Sequence, residues 1–187
     1  MMAATFPLNS FSQISKKQWA FNGAIGAQYN KNSDVFEINT PISVGYFIFD
    51  KCAVGLQALY AHRKGNTYNF VYDQSLGVIP FPYTKKSNQY ALSLFSRYYI
   101  LPASQRFNVF VEGAYGYGMS TIDSDLLILD KTSDITVFSA TISPVYFINE
   151  HISVDLRFSY GKQNFRGNSN YETQSLLYGM GFHYYLK

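Results

Sequence analysis

"LLYGMGFHYYLK", Leu176 to Lys187, sets Leu176, Tyr178, Met180, Phe182, Tyr184 and Leu186 at every second position. Ser175, Gly179, Gly181 and His183 fall on the alternate ones. Apolar residues at a period of two mark a β-strand with one greasy face. In water such a stripe with an unpaired edge invites aggregation. Either protein covers it, or its solvent is not water.

The same period runs through the chain from Trp19 onward, in eight segments. They are Gln18 to Tyr29, Val35 to Ile48, Cys52 to His62, Gln89 to Leu101, Phe107 to Thr121, Asp134 to Ile148, Ile152 to Gly161 and Thr173 to Lys187. Most exceed the five or six residues usual for soluble strands and are long enough to cross a bilayer when tilted. Short links, "FDK" at Phe49 to Lys51, "PASQR" at Pro102 to Arg106 and "NEH" at Asn149 to His151, alternate with longer ones. The longer ones are Asn30 to Asp34, Arg63 to Asn88, Asp123 to Ser133 and Lys162 to Glu172. Short turns on one rim and long loops on the other are the layout of an outer-membrane barrel.

One face of these segments carries Trp19, Phe21 and Ile25, Ile42, Val44 and Tyr46, Val54, Leu56 and Tyr60, Leu92, Leu94 and Tyr98, Val111, Tyr115 and Tyr117, and Leu156, Phe158 and Tyr160. No Asp, Glu, Lys or Arg interrupts it. The opposite face holds Glu37, Asn39, Ser43, Gln57, Arg63, Ser93, Arg97, Asn108, Glu112, Asp155 and Arg157. A Lys or Arg on a lipid-facing strand costs about 2–4 kcal/mol at the bilayer midplane. The charge-free face is therefore expected to meet hydrocarbon, and Gly55, Gly116, Gly118, Gly179, Gly181, Ala24 and Ala114 to point into a narrow interior. Strand six is ambiguous in phase, with Phe138, Ala140, Ile142, Tyr146 and Ile148 preferred for the lipid side. Pro41 and Pro144 should bring bulges or kinks.

Composition agrees. Charged residues are 14% of the 187 and aromatics 18%, against roughly 25% charged in ordinary soluble domains. The mean hydropathy is −0.10, and no apolar run is long enough for a spanning helix. The net charge of +3 is scattered, so there is no nucleic-acid footprint. "KK" at Lys16–Lys17 and Lys85–Lys86 reads as solvated punctuation. Cys52 is the one cysteine, which excludes an intramolecular disulfide and a cysteine-based zinc site. The expected division is a leader over 1–17, with "SFSQ" at Ser10 to Gln13 resembling a signal-cleavage region, and one barrel domain over 18–187.

The C-terminal segment resembles an outer-membrane assembly signal: Gly179, Phe182 and Tyr184 match its glycine and two alternating aromatics, and the resemblance implies handling by the assembly machinery. More broadly, "PISVGYFIFDKCAVGLQALY", "FVEGAYGYG" and "SPVYFINEHISVDLRFSYG" resemble the small OmpX/OmpA-type eight-stranded outer-membrane β-barrel family of Bacteroidota. The resemblance implies an all-β fold, an eight-stranded antiparallel transmembrane barrel with both termini periplasmic, integral in the bacterial outer membrane. It says little about function, because this barrel hosts adhesive, complex-stabilising and lipid-modifying proteins.

Three places can carry chemistry. The interior charges Glu37, Arg97, Glu112, Asp155 and Arg157 are expected to pair as a network plugging the lumen, because buried charges persist when partnered. The stretch Asn66 to Lys86, with Tyr68, Phe70, Tyr72, Phe81 and Tyr83, is a candidate protein-contact loop, or a lid over the barrel mouth. "LLILD", Leu126 to Asp130, extends strands five and six or offers an edge for strand addition. No catalytic group, cofactor or metal site is expected. His62 is expected toward the loop rim, His151 in a short turn and His183 near the opposite rim, so at least two of them cannot meet, and Asp123, Asp125 and Asp130 lack a calcium-loop spacing. Partners are outer-membrane lipid and lipopolysaccharide, and one or more outer-membrane proteins. The expected role is a non-enzymatic structural or accessory subunit of an outer-membrane complex, or a barrel presenting extracellular loops. Competing readings are a lipid A-modifying enzyme built around His62, and a soluble lipocalin-like barrel with the opposite polarity.

Overall fold

The computed structural model of the chain describes residues 14–30, 35–73, 77–124, 131–166 and 171–187. Eight strands follow in order: β1 (Trp19–Asn30), β2 (Val35–Phe49), β3 (Cys52–Asp73), β4 (Gly77–Tyr99), β5 (Phe107–Ser124), β6 (Lys131–Phe147), β7 (Ile152–Arg166) and β8 (Tyr171–Leu186). Each pairs antiparallel with its sequence neighbours, and β8 returns to β1 to close the cylinder. The closing ladder runs from Trp19↔Leu186 to Ala27↔Tyr178. The terminal stripe thus has no free edge, and closure is what allows strands to cross hydrocarbon with their backbone groups satisfied.

The polarity is inverted relative to a soluble barrel. Leu92, Leu94, Phe158 and Met180 are exposed on the outside, whereas Arg97, Glu112, Asp155, Arg157 and His183 are buried within. The lipocalin-like alternative required the reverse and is excluded. Strand six takes the preferred phase, with Phe138, Ala140, Ile142, Tyr146 and Ile148 outward.

The proline expectation is corrected in part. Pairing keeps its register through Thr40↔Tyr60, Pro41↔Leu59 and Ile42↔Ala58, so no bulge forms at Pro41. Instead the β1 ladder lapses between Gly23↔Ile42 and Gly26↔Asn39. At Pro144 the β7 ladder lapses between Ile142↔Phe158 and Val145↔Asp155, again without a shift. There the one Ser143 hydroxyl proton is shared between Leu156 O and Asp155 Oδ2, each 2.7 Å away, a side-chain donor where proline brings none. The register irregularity lies elsewhere, between Phe47 and Phe49 at the first short turn, where Lys51 has φ 70°.

Several boundaries move: β5 and β7 run on to Ser124 and Arg166, and β6 starts already at Lys131. The barrel begins before Gln18: Ile14 is fully buried among Phe47, Tyr99, Phe110, Phe147 and Tyr185. Lys17, with φ 70°, donates its N–H to Phe47 O at 2.9 Å. Residues 14–17 therefore cap the short-turn rim. Arg63 to Asn88 is no loop: β3 and β4 stay paired to Asp73↔Gly77, forming a ribbon that rises beyond the other strands. Lys85 and Lys86 consequently sit inside β4, exposed, and do not punctuate it. Residues 126–130 lie outside the described residues, between Ser124 and Lys131.

Candidate functional site

The lumen is filled in two layers. At the short-turn rim, where the polar alternation of the inner face breaks, Phe47, Tyr99, Phe110, Phe147 and Tyr185 pack ring against ring. Tyr99 lies 5.5 Å from Phe110 and Phe147 5.6 Å from Tyr185 between centroids. The Tyr99 and Tyr185 hydroxyls meet at 2.9 Å, and Ser153 Oγ reaches Tyr185 OH at 3.2 Å. Aromatic rings here cost no charge burial and close the bore to water.

Above them sit the charges. Arg97 Nε donates to Glu112 Oε2 at 2.7 Å, its partner directly across the β4–β5 ladder. The guanidinium also lies over the Phe110 ring, 4.3 Å from its centroid, and Nη1 donates to Asn22 Oδ1 at 3.2 Å. Asp155 collects three donors: Arg157 Nε at 3.0 Å, Ser143 Oγ at 2.7 Å and His183 Nε2 at 2.9 Å. His183 joins the two groups, because its Nδ1 lies 3.0 Å from Arg97 Nη1 and touches Asn22 Oδ1. Gly181 leaves the room: a Cβ there would stand 1.9 Å from Asp155 Oδ1 and 2.9 Å from Arg157 Nε.

Of the five interior charges read from the sequence, four belong to this cluster. Glu37 does not join it. Arg63 donates to Glu37 Oε2 from Nε at 3.0 Å and Nη2 at 2.6 Å, nearer the long-strand rim. Between the two groups lies a cavity of about 90 Å³, lined by Asn39, Gln57, Ser93, Thr141, Arg157 and Gln163, large enough for a few waters.

The histidines do not converge. His62 is on the outer face, 2.8 Å from Asn88 Oδ1. His151 is in the last short turn, its Nδ1 donating to Tyr185 O at 3.0 Å, and His183 is inside. Ser143, Asp155 and His183 share a cluster, but the serine hydroxyl donates to the carboxylate and not to the imidazole. A nucleophile must hydrogen-bond its base, and all three groups are buried below the reach of a lipid substrate. Among the described residues no group of His, Cys, Asp and Glu has the makings of a metal site.

The remaining sequence-predicted residues separate by side. Phe182 and Tyr184 face outward and Gly179 inward on β8. Tyr68, Phe70, Tyr72, Phe81 and Tyr83 lie on the β3–β4 ribbon by register, their side chains outside the described residues. On the lipid face, Ser96, Gly113 and Ala140 stand side by side across β4, β5 and β6, forming a shallow trough bordered by Tyr98, Val111, Ile142 and Phe158. Outside the bilayer span, Lys187 Nζ donates to Glu150 Oε2 at 2.5 Å, holding that carboxyl below its ordinary range and latching the C-terminus to the last short turn.

An apolar exterior, a closed antiparallel wall and a plugged polar bore define a small eight-stranded transmembrane β-barrel of the outer-membrane type, integral to the bacterial outer membrane. Solved structures of that class superpose on it. Neisserial surface protein A matches with a TM-score of 0.54 and 14% identity, covering 89% of this chain and 96% of its own. The outer membrane protein OprG from Pseudomonas aeruginosa matches with a TM-score of 0.54 and 14% identity, covering 94% and 99%. No protein-family model and no curated protein matches the chain by sequence. At these identities the likeness concerns the fold.

Proposed function

We propose that the protein is a non-enzymatic outer-membrane barrel that engages a protein partner through its projecting β3–β4 ribbon. The observation that carries this reading is the asymmetry of the ribbon's two edges. Tyr99 N–H donates to Lys51 O at 2.8 Å, so the pair Lys51↔Tyr99 is hydrogen-bonded, and the register runs unbroken to Asp73↔Gly77. Hydrogen-bonded and non-hydrogen-bonded pairs alternate. Phe70↔Pro80 and Tyr68↔Pro82 are therefore of the second kind, with their backbone groups turned to the outer edges. Pro80 and Pro82 remove two donors from the β4 edge, a device that discourages strand addition. On the β3 edge Tyr68, Phe70 and Tyr72 keep theirs. The β2 ladder stops at Val35↔Gly65, and no described strand lies beside them. An edge of this kind accepts an extended segment of a partner by strand addition.

Between Asn66 and Thr84 the ribbon's sequence carries one charge, Asp73, and five aromatic rings, a composition suited to protein contact. Phe70→Pro is the test. It deletes one outward N–H and leaves the β3–β4 ladder intact, so the barrel stays folded. A photo-crosslinker at position 72 is expected to capture a partner on native membranes in the parent and not in Phe70→Pro. Equal capture by both would remove the reading. The accessory-subunit role is supported by the Ser96–Gly113–Ala140 trough, since small residues let a second transmembrane element approach closely. Recognition of Gly179, Phe182 and Tyr184 by the assembly machinery belongs to the same proposal.

A further inference from the structure

The outer face of β3 and β4 changes character in three steps toward the long-strand rim. Tyr60 and Tyr90 face each other across the ladder with ring centroids 5.2 Å apart. One pair higher, His62 Nδ1 lies 2.8 Å from Asn88 Oδ1, and the Tyr60 hydroxyl donates to the same oxygen at 3.2 Å. One pair higher again, Lys64 stands directly opposite Lys86, both exposed.

That last pairing is unfavourable as it stands. By the alternation established above, Lys64↔Lys86 is a non-hydrogen-bonded pair, the kind that brings side chains closest, with Cα atoms about 4.5 Å apart. Like charges directly opposite destabilise a ladder. Elsewhere on the outer wall near this rim Lys162 Nζ lies 2.8 Å from Glu172 Oε2, and Arg166 is opposite Asp134. Asp123 is likewise opposite Lys86 on β5, so one carboxylate stands beside two facing lysines, and Lys85 adds a further exposed cation. The corner is left with a surplus of positive charge.

Height says what would neutralise it. On the outer face, Tyr90 and Ile100, just past the end of β4, bound the apolar residues and lie ten positions apart. At about 3.3 Å per residue on a strand tilted ~40°, that is a rise of roughly 25 Å, the height of a lipid-facing apolar band, and Lys86, with Lys64 across from it, lies four residues above Tyr90. The two lysines therefore stand at the outer headgroup level, above a tyrosine pair of the kind that marks the interface. We propose that Lys64 and Lys86 clamp a phosphate group of an outer-leaflet glycolipid, its acyl chains running down past Tyr60 and Tyr90. The phosphate supplies the anion that the cross-strand pair lacks, with a charge-assisted hydrogen bond from each ammonium. This rests on outer-membrane placement and not on any protein partner.

The test uses the full chain folded in detergent, with native mass spectrometry to read lipid retention. The parent is titrated with phosphorylated lipid A, with dephosphorylated lipid A and with inorganic phosphate. The same series is run on K64Q/K86Q and on K162Q as a control, each first shown folded by its heat-modifiable mobility. Phosphorylated lipid A is expected to bind the parent and K162Q alike and the double variant about tenfold or more weakly, in line with the attraction of anionic headgroups for each lysine. Dephosphorylated lipid A should bind the parent no better than the double variant. Equal retention of the two lipids by the parent overturns the proposal without reference to any variant, as does unchanged binding in K64Q/K86Q. Inorganic phosphate binding as tightly as the lipid overturns the headgroup assignment.

Discussion

Arg97→Met is expected to cost the barrel about 3–5 kcal/mol, the range for breaking a buried ion pair from one side. The substitution keeps an unbranched apolar stem but removes the guanidinium, and with it the stacking on Phe110, and strands the Glu112 carboxylate in a bore where Arg97 is its ion-pair partner. It also withdraws the donor to Asn22 and the contact with His183. The loss should appear as a lower urea midpoint and a lower temperature for conversion to the heat-unfolded gel band. Arg97→Met combined with Glu112→Leu should recover most of it, because removing both ions leaves no buried charge to solvate. Melting unchanged in Arg97→Met, or no recovery in the double variant, would mean the charges do not depend on one another.

Leu94→Arg should cost about 2–4 kcal/mol through a different mechanism. Leu94 is 70% exposed on the outer face of β4, four residues from Tyr90 and four from Tyr98. It thus sits near the midplane with an aromatic ring toward each interface. An arginine there has hydrocarbon around it and no partner within the wall. The same residue in place of Lys86, above the band, should cost about nothing. Folding into bilayers from urea, followed by tryptophan fluorescence of Trp19, reads both. A soluble barrel would accept arginine at 94 without penalty, so the contrast between the two positions is diagnostic.

Much of this was legible in the sequence because lipid and lumen impose opposite demands on alternate residues. Leu92, Leu94 and Phe158 on one phase, and Glu112, Asp155 and Arg157 on the other, tell which side of each strand meets hydrocarbon. What was missed involves residues that break that rule. Phe47, Tyr99, Phe110, Phe147 and Tyr185 are aromatics on the polar phase, and each falls beside a short turn or the C-terminus. That coincidence was the available signal for a plug at one rim. Ile14 escaped because it precedes the alternation altogether. His183 was placed at the correct end of the barrel, but its union with Arg97 and Asp155 depends on β8 closing against β1 beside β7, which no local pattern states. Glu37 parted from the other charges because strand register, not phase, determines which inward residues share a height. The stretch Arg63 to Asn88 reads as a long connection between strands, yet Pro80 and Pro82 stand at non-hydrogen-bonded edge positions of a paired ribbon, where they break nothing.

The central claim is that hydrocarbon bathes the outside of this cylinder while ions and hydroxyls fill it. Nitroxide labels at positions 92, 94 and 158, set against labels at 64 and 86, test it most directly when the protein is folded in bilayers. The first three should relax with dissolved oxygen and ignore a water-soluble nickel chelate, and the last two should do the reverse. Nickel accessibility at 92, 94 and 158 equal to that at 64 and 86 would contradict the account.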